Sequence, residues 1–344
     1  MTNPVTALLI FLGICILAYL IYYPKKGWYW KIKESIKNDN KTLMEDVLKK
    51  IYHAENSGTN LQVNDITGSI NNTQKNIVES IANMESSGLI SSVNGSLKLE
   101  KTGREYALKI IRVHRLWEQY LSEKTGFHKK DWHEIAEKME HKLNHDQTNE
   151  LAMSLGNPRF DPHGDPIPTE TGEITKIIGK PLSAYPANTV GKIVHIEDEP
   201  DIIYQQILAQ DLHIGSLVRI IETNKKRIVI YSEGEEYILA PIVAGNITIS
   251  ELKKEAYTTE NTSRLYSLKL GEKAKIVGIS RECRGDIRRR LLDLGFVINT
   301  EIHIDMESPM GNPRAYLIRN TSIAIRNEQS KFILIEKILA HGKA

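Results

Sequence analysis

The apolar positions change character along the chain. Val5 to Tyr23 is a continuous run without charge, at roughly 19 residues long enough to span a bilayer as a helix. From Lys41 the apolar residues recur at helical spacing. Leu43, Val47, Leu48 and Ile51 mark one amphipathic helix, and Leu61–Ile70, interrupted by Gly68, marks a short second one. Asn71-Asn72-Thr73 then opens a third helix with Ile77, Ile81 and Met84 inward and Gly88 as its stop. Ser91–Leu99 reads as two short strands about Asn94-Gly95, a hairpin signal. This is the order of a winged helix-turn-helix, whose third helix enters the DNA major groove. Thr73, Gln74, Lys75 and Asn76 are its candidate DNA-contacting residues; a winged helix used only for protein contact is the alternative. Helical spacing continues through Gly103–Leu121, His128–Leu143 and Asp146–Leu155.

Asn157 to Pro168 is too dense in Pro and Gly for helix or central strand and marks a domain boundary. Beyond it the period becomes that of strands. Thr189–Ile196, Gly215–Ile221, Arg227–Tyr231 and Glu236–Ala240 alternate, and Ala274–Ile279, Thr300–Ile304, Ala315–Ile318 and Ser322–Ile325 repeat that layout. Each half carries a short helix before its second strand (Gln205–Gln210, then Asp286–Leu294), which predicts tandem small barrels of roughly 75 residues. The expected fold is multidomain α+β: anchor and juxtamembrane segment 1–30, winged helix 31–102, helical domain 103–168, first barrel 169–252, linker 253–264 and second barrel 265–344.

Composition refines this only in places. The formal net charge of +2 and 41% hydrophobic content are ordinary, and they neither demand nor exclude a nucleic-acid partner. The two cysteines, Cys15 and Cys283, lie far apart and offer no disulfide framework or thiolate zinc site. Lys25, Lys26, Lys31 and Lys33, with Trp28, Tyr29 and Trp30, flank the apolar run on one side. That flank predicts a single-pass protein of the inner (cytoplasmic) membrane with its bulk in the cytoplasm; a buried core helix is the alternative.

The chemistry concentrates between His114 and His141. His114 and Glu118 are one helical turn apart, and His133, Glu137, Glu140 and His141 form one stripe on the next helix. Facing stripes of imidazole and carboxylate make a divalent-metal site suited to Mn(II), Fe(II) or Zn(II); the bland alternative is a solvated charged face. His133-Glu134-Ile-Ala-Glu137 lacks the second His of a zinc-protease motif, and no nucleophile or proton-transfer pair lies beside the stripe, so no enzyme is expected.

Asp46 with Ile51-Tyr52, Val113-His-Arg-Leu-Trp-Glu118, His133–His141 and Asp161-Pro-His-Gly-Asp-Pro-Ile-Pro168 together resemble the DtxR/MntR metal-dependent transcriptional repressors over about Lys41–Pro168. Arg289–Phe296 and Ser308–Pro313 resemble FeoA-type SH3-like barrels, and Asp211–Ser216 is similar to the third domain of iron-dependent members. The resemblance implies a homodimer bound to a double-stranded DNA operator and repressing metal-uptake genes, with Mn(II) or Fe(II) as cofactor. It implies a primary metal site of Asp46, Glu137, Glu140 and His141 and an ancillary site of His114, Glu118 and His133. Glu199 and Asp201 are the candidates for a further ancillary ligand from the barrel, and the manganese branch's additional first-helix carboxylate is replaced by Lys49. A second reading makes the chain a membrane-anchored metal sensor that regulates a metal transporter without binding DNA.

Overall fold

The computed structural model describes residue 19 and residues 28–338 apart from 71, 211, 253–261 and 281. The described residues fall into two compact units: those up to 113 with 140–143 and 170–172, and 114–139 with 144–169 and those from 173 onward. The expected anchor Val5–Tyr23 lies outside the described residues. Among the described residues no helix is long and apolar enough to cross a membrane.

In the first unit, helix α1 (Trp28–Asn56) precedes the short α2 (Val63–Thr67) and α3 (Gln74–Ser86). Strands β1 (Ile90–Val93) and β2 (Ser96–Leu99) form an antiparallel hairpin. The expected turn is there: Asn94 and Gly95 both have positive φ, 52° and 80°, as a two-residue type I′ connection requires. Thr73 is the N-cap of α3, its side chain accepting from the Asn76 N–H. Gly68, expected inside the second helix, is instead its C-cap, where its low helix propensity costs nothing. Val47, Leu48, Ile51, Ile66, Ile77, Ile81 and Met84 bury the facing stripes of the helices. Leu97 N–H bonds Leu61 O at 2.9 Å, and Glu100 N–H bonds Leu89 O at 2.9 Å, tying the hairpin into the bundle.

Helices α4 (Lys101–Lys124), α5 (Lys129–Glu140) and α6 (His145–Ser154) follow. In the second unit Leu116, Ala152 and Ile167 pack as one small apolar cluster. The Pro/Gly-dense stretch after α6 is a loop, as expected, with Asp161 Oδ1 accepting from the His163 and Asp165 N–H groups at 2.8 and 2.9 Å.

The two β-rich regions then repeat one topology. The first holds β3 (Lys180–Pro181), β4 (Val190–Ile196), α7 (Asp201–Ala209), β5 (Leu217–Thr223), β6 (Ile228–Ser232), β7 (Glu235–Leu239), α8 (Pro241–Gly245) and β8 (Ile247–Glu251). The second holds β9 (Thr262–Arg264), β10 (Lys273–Ile279), α9 (Gly285–Asp293), β11 (Glu301–Glu307), β12 (Arg314–Ile318), β13 (Thr321–Ile325), α10 (Asn327–Ser330) and β14 (Ile333–Lys337). The strand orders are β3-β8-β4-β5-β6-β7 and β9-β14-β10-β11-β12-β13, the same order in each repeat. Bulges recur as well: at Ile193/His195 and Ile276/Gly278 in the first long strand, at Ile220/Glu222 and Ile304/Met306 in the next. Periodicity missed the short first strand and the last strand of each repeat. It also assigned Thr262–Arg264 to a linker, whereas these residues pair with β14. Each sheet encloses its own Ile-rich core, around Ile193, Ile220 and Ile249 in one and around Ile276, Ile302 and Ile335 in the other.

One glycine fixes how the 161–165 loop meets β4. Gly164 has φ +90°, and a Cβ there would lie 2.1 Å from Val194 O. Gly164→Ala is therefore expected to destabilise the second unit by at least ~2 kcal/mol, seen as an earlier loss of structure in urea. An unchanged denaturation midpoint would show that the loop is not seated on β4.

Candidate metal centre

Helix α4 places His114 and Glu118 on one face, one turn apart, and buries both. Glu118 Oε1 lies 3.1 Å from His114 Nε2, 3.3 Å from His133 Nδ1 and 4.0 Å from His163 Nε2. His133 comes from α5, and its ring meets that of His114 edge to face with centroids 4.8 Å apart. Asp198, in the turn after β4, brings Oδ2 within 3.3 Å of His133 Nδ1. The ligand atoms of His114, Glu118 and His133 lie within 4.8 Å of one another, as do those of Glu118, His163 and Asp198. Glu118 belongs to both groups, so the cluster is one continuous nest of three imidazoles and two carboxylates.

His163 is held in place from behind. Its main-chain carbonyl accepts from Ile196 N–H at 2.9 Å, and its Nδ1 is 3.2 Å from the Tyr204 hydroxyl. Arg115, next to His114 on α4, donates to Pro166 O at 2.6 Å and Asp165 Oδ1 at 3.0 Å, pinning the loop that carries His163. His195, just past the β4 bulge, approaches Asp165 Oδ2 at 3.4 Å. Such outer contacts orient an imidazole and select its tautomer.

Electrostatics match the geometry. Burial opposes ionisation of Glu118, but His114, His133 and His163 outweigh it and hold the carboxyl well below its usual range. Burial lowers His133, yet Asp198, Glu118 and Glu137 leave it pushed up to about 12. Asp198 is likewise lowered, by His133 and His163 against its burial. Two imidazole nitrogens in the nest, His133 Nδ1 and His163 Nε2, are buried without a hydrogen-bond partner. Unpartnered buried nitrogens facing a shared carboxylate are what a metal ion would complete. These residues fit Mn(II) or Fe(II).

The second cluster forms in the first unit from Asp46 on α1 and Glu140 and His141 at the end of α5, again with ligand atoms within 4.8 Å. Glu45 joins it: His141 Nδ1 is 2.6 Å from Glu45 Oε2, and His141 Nε2 is 3.3 Å from Asp46 Oδ1. Tyr106 donates to Glu45 Oε1 at 2.7 Å. Burial lowers His141, but Asp46 and Glu45 outweigh it and raise the imidazole to about 9. Here the fit to a metal fails at Glu140, whose two carboxylate oxygens accept from Lys49 Nζ at 3.0 and 3.1 Å.

The expected ligand sets are thus redistributed. His114, Glu118 and His133 come together as expected, and Asp46, Glu140 and His141 do too. Glu137 lies one turn after His133, its half-exposed carboxylate 3.6 Å from His133 Nε2. Asp201, expected as a barrel ligand, accepts from Gln205 at 3.0 Å at the start of α7, and the Glu199 side chain is 76% exposed at 3.8 Å from His133. Asp198, one residue earlier, is the buried carboxylate. Sequence reasoning missed Asp198, His163 and Glu45. The His163 loop carries a signal, a histidine framed by Asp161 and Asp165 in a rigid Pro/Gly turn, although neither its periodicity nor the resemblance names His163 as a ligand. Thr73, Gln74, Lys75 and Asn76 are all exposed at the start of α3.

Two stretches of the chain match known protein families. Residues 100–169 match the family "Iron dependent repressor, metal binding and dimerisation domain", and residues 263–337 match the FeoA domain. The chain is 39% identical over 84 residues to a probable metal transport system membrane protein of Chlamydia trachomatis, a match covering 24% of this chain and 19% of that protein. It therefore spans about a fifth of that relative's length. It is 28% identical over 225 residues to the diphtheria toxin repressor of Corynebacterium diphtheriae, covering 60% of this chain and 96% of the repressor. A solved manganese-dependent transcriptional repressor in complex with manganese superposes with a TM-score of 0.56 at 26% identity, covering 61% of this chain and all of that one. The chain covers both repressors along nearly their whole length, and among the described residues no helix is fit to span a bilayer. The expected inner-membrane location is corrected only to this extent: no helix of the described residues can span a bilayer, and the expected anchor Val5–Tyr23 lies outside those residues. The chain carries an iron-dependent-repressor metal-binding and dimerisation domain, followed by an FeoA domain.

Proposed function

We propose that the chain is a metal-dependent DNA-binding transcriptional regulator, a dimeric repressor of metal-uptake genes. Its metal centre consists of His114, Glu118, His133, His163 and Asp198, and its ion is Mn(II) or Fe(II). The observation that carries the reading is the buried Glu118 carboxylate, shared by three imidazoles of which two have an unpartnered nitrogen facing it. The similarity to a manganese-dependent repressor and to the iron-dependent-repressor metal-binding domain supports the choice of ion.

His114, His133, His163, Glu118 and Asp198 would hold such an ion, which would supply positive charge beside the two carboxylates. The chain's own residues do the rest. Arg115 and Asp165 hold the His163 loop, Tyr204 fixes the His163 ring, and His133 carries α5. α3 offers Thr73, Gln74, Lys75 and Asn76 to bases and phosphates from a capped, exposed N-terminus. In a dimer the helices that hold the metal set the separation of two such recognition helices, and so the half-site spacing. Metal shifts the equilibrium only by its differential affinity for the DNA-competent arrangement.

A second reading is favoured by the 39% identity to a transport-system protein. In it, the same metal centre controls contact with a transporter rather than with DNA. Co-purification with a permease in the absence of any metal-dependent duplex binding would select it.

Fluorescence anisotropy on the chain's own upstream DNA tests the first reading. Mn(II) should tighten wild-type binding on the order of tenfold or more, and Glu118→Gln should abolish the response; an unaltered response in that variant would sink the proposal. Lys75→Ala should weaken binding evenly across sequences and flatten the log–log salt slope by ~0.9. A slope that did not change would remove Lys75 from the interface.

Acid dependence follows from His133. Raised to about 12 without metal, it is protonated at neutral pH and must release that proton to ligate. Apparent Mn(II) affinity should therefore rise with pH, by about tenfold per unit for each proton released. Calorimetry in buffers of different ionisation enthalpy counts those protons, and pH-independent affinity with no release would exclude His133 as a ligand.

A further inference from the structure

We infer that Lys49 is the resident cation of the Asp46–Glu140–His141 cluster, which is closed by lysine and takes up no divalent metal of its own. The inference rests on the functional reading above for the identity of the ion, and concerns which cluster binds it.

The side chain of Glu140 is completely buried, and Lys49 Nζ bridges both of its oxygens at 3.0 and 3.1 Å. Lys49 itself is 16% exposed, so its ammonium is held inside the cluster rather than at its rim. Lys41, two turns earlier on the same face of α1, donates to His141 O at 3.2 Å and lies 3.5 Å from Glu45 Oε1. Three carboxylates, Glu45, Asp46 and Glu140, thus face two ammonium groups, with the His141 imidazole between Glu45 and Asp46. The charge that a divalent ion would neutralise is already mostly neutralised by side chains.

The Glu118 cluster is built the other way. Among the described residues, the groups paired with Glu118 and Asp198 are imidazoles. An imidazole gives up its proton and becomes a ligand without moving. An ammonium cannot: Lys49 would have to leave Glu140 before a cation could reach the same oxygens, and a divalent ion beside it would be repelled. The two clusters therefore differ in what they hold, and Lys49 is the residue that closes the second.

Equilibrium dialysis of the full chain against Mn(II), with bound metal counted per chain by atomic absorption, tests this. Asp46→Ala should leave the metal content of the wild type unchanged, whereas Lys49→Glu should add about one Mn(II) per chain by exchanging the cation for a carboxylate ligand. Lys49→Gln removes only the charge and is expected to bind additional Mn(II) more weakly; circular dichroism confirms that each variant is folded. Loss of a metal equivalent in Asp46→Ala would overturn the inference and leave the functional reading standing. So would folded Lys49 variants that gain none. Unchanged metal content in Glu118→Gln would overturn the functional reading and this inference with it.

Discussion

Burying the Glu118 carboxylate is the constraint on which the second unit is arranged. Removing an ionised carboxylate from water costs several kcal/mol even after relaxation, and a lone one would sooner take up a proton. His114 one turn earlier, His133 from the next helix and His163 from the loop meet that demand together. Each then needs its own support. Asp198 faces His133, Tyr204 faces His163, and Arg115 holds the loop by Asp165 and the Pro166 carbonyl. The bulge in β4, the positive φ of Gly164 and the buried pair of His195 and Asp165 are consequences of seating that loop against the sheet.

The helix-borne half of this arrangement was legible in the amino-acid order. Spacing of four residues put His114 and Glu118 on one face, Asn94-Gly95 gave the hairpin, and Asn71-Asn72-Thr73 gave the start of α3. The other half was not, because it depends on where a loop and a strand end come to rest. His163 lies on a Pro/Gly turn with no periodicity to read. Asp198 differs from the expected Glu199 by one position in an acidic run, and only the exit of the chain from β4 decides which carboxylate turns inward. Glu45 and Asp46 show the same limit on a helix: consecutive residues flank the two nitrogens of one imidazole, and the family resemblance nominated only one of them. The repeat of the barrels was visible, but their edge strands were too short for the pattern to register.

The two clusters show how similar residues are put to different ends by one neighbour. Around Glu118 the partners are titratable imidazoles, so charge there depends on what is bound. Around Glu140 a lysine bridges both carboxylate oxygens at 3.0 and 3.1 Å, with His141 Nε2 farther off at 3.6 Å. In the proposed reading the cluster closed by lysine is indifferent to metal supply, while the nest at Glu118 responds to it. The FeoA domain, with its own core and the strand order of the preceding barrel, adds a second copy of a fold already present rather than a new kind of site.

Pulsed electron paramagnetic resonance of the Mn(II)-loaded chain reads the coordination shell directly. The account predicts nitrogen modulation from directly bound imidazole, diminished in His163→Ala and unchanged in Asp46→Ala. A shell of oxygen alone, or nitrogen modulation that disappears with Asp46→Ala and survives His163→Ala, would contradict it.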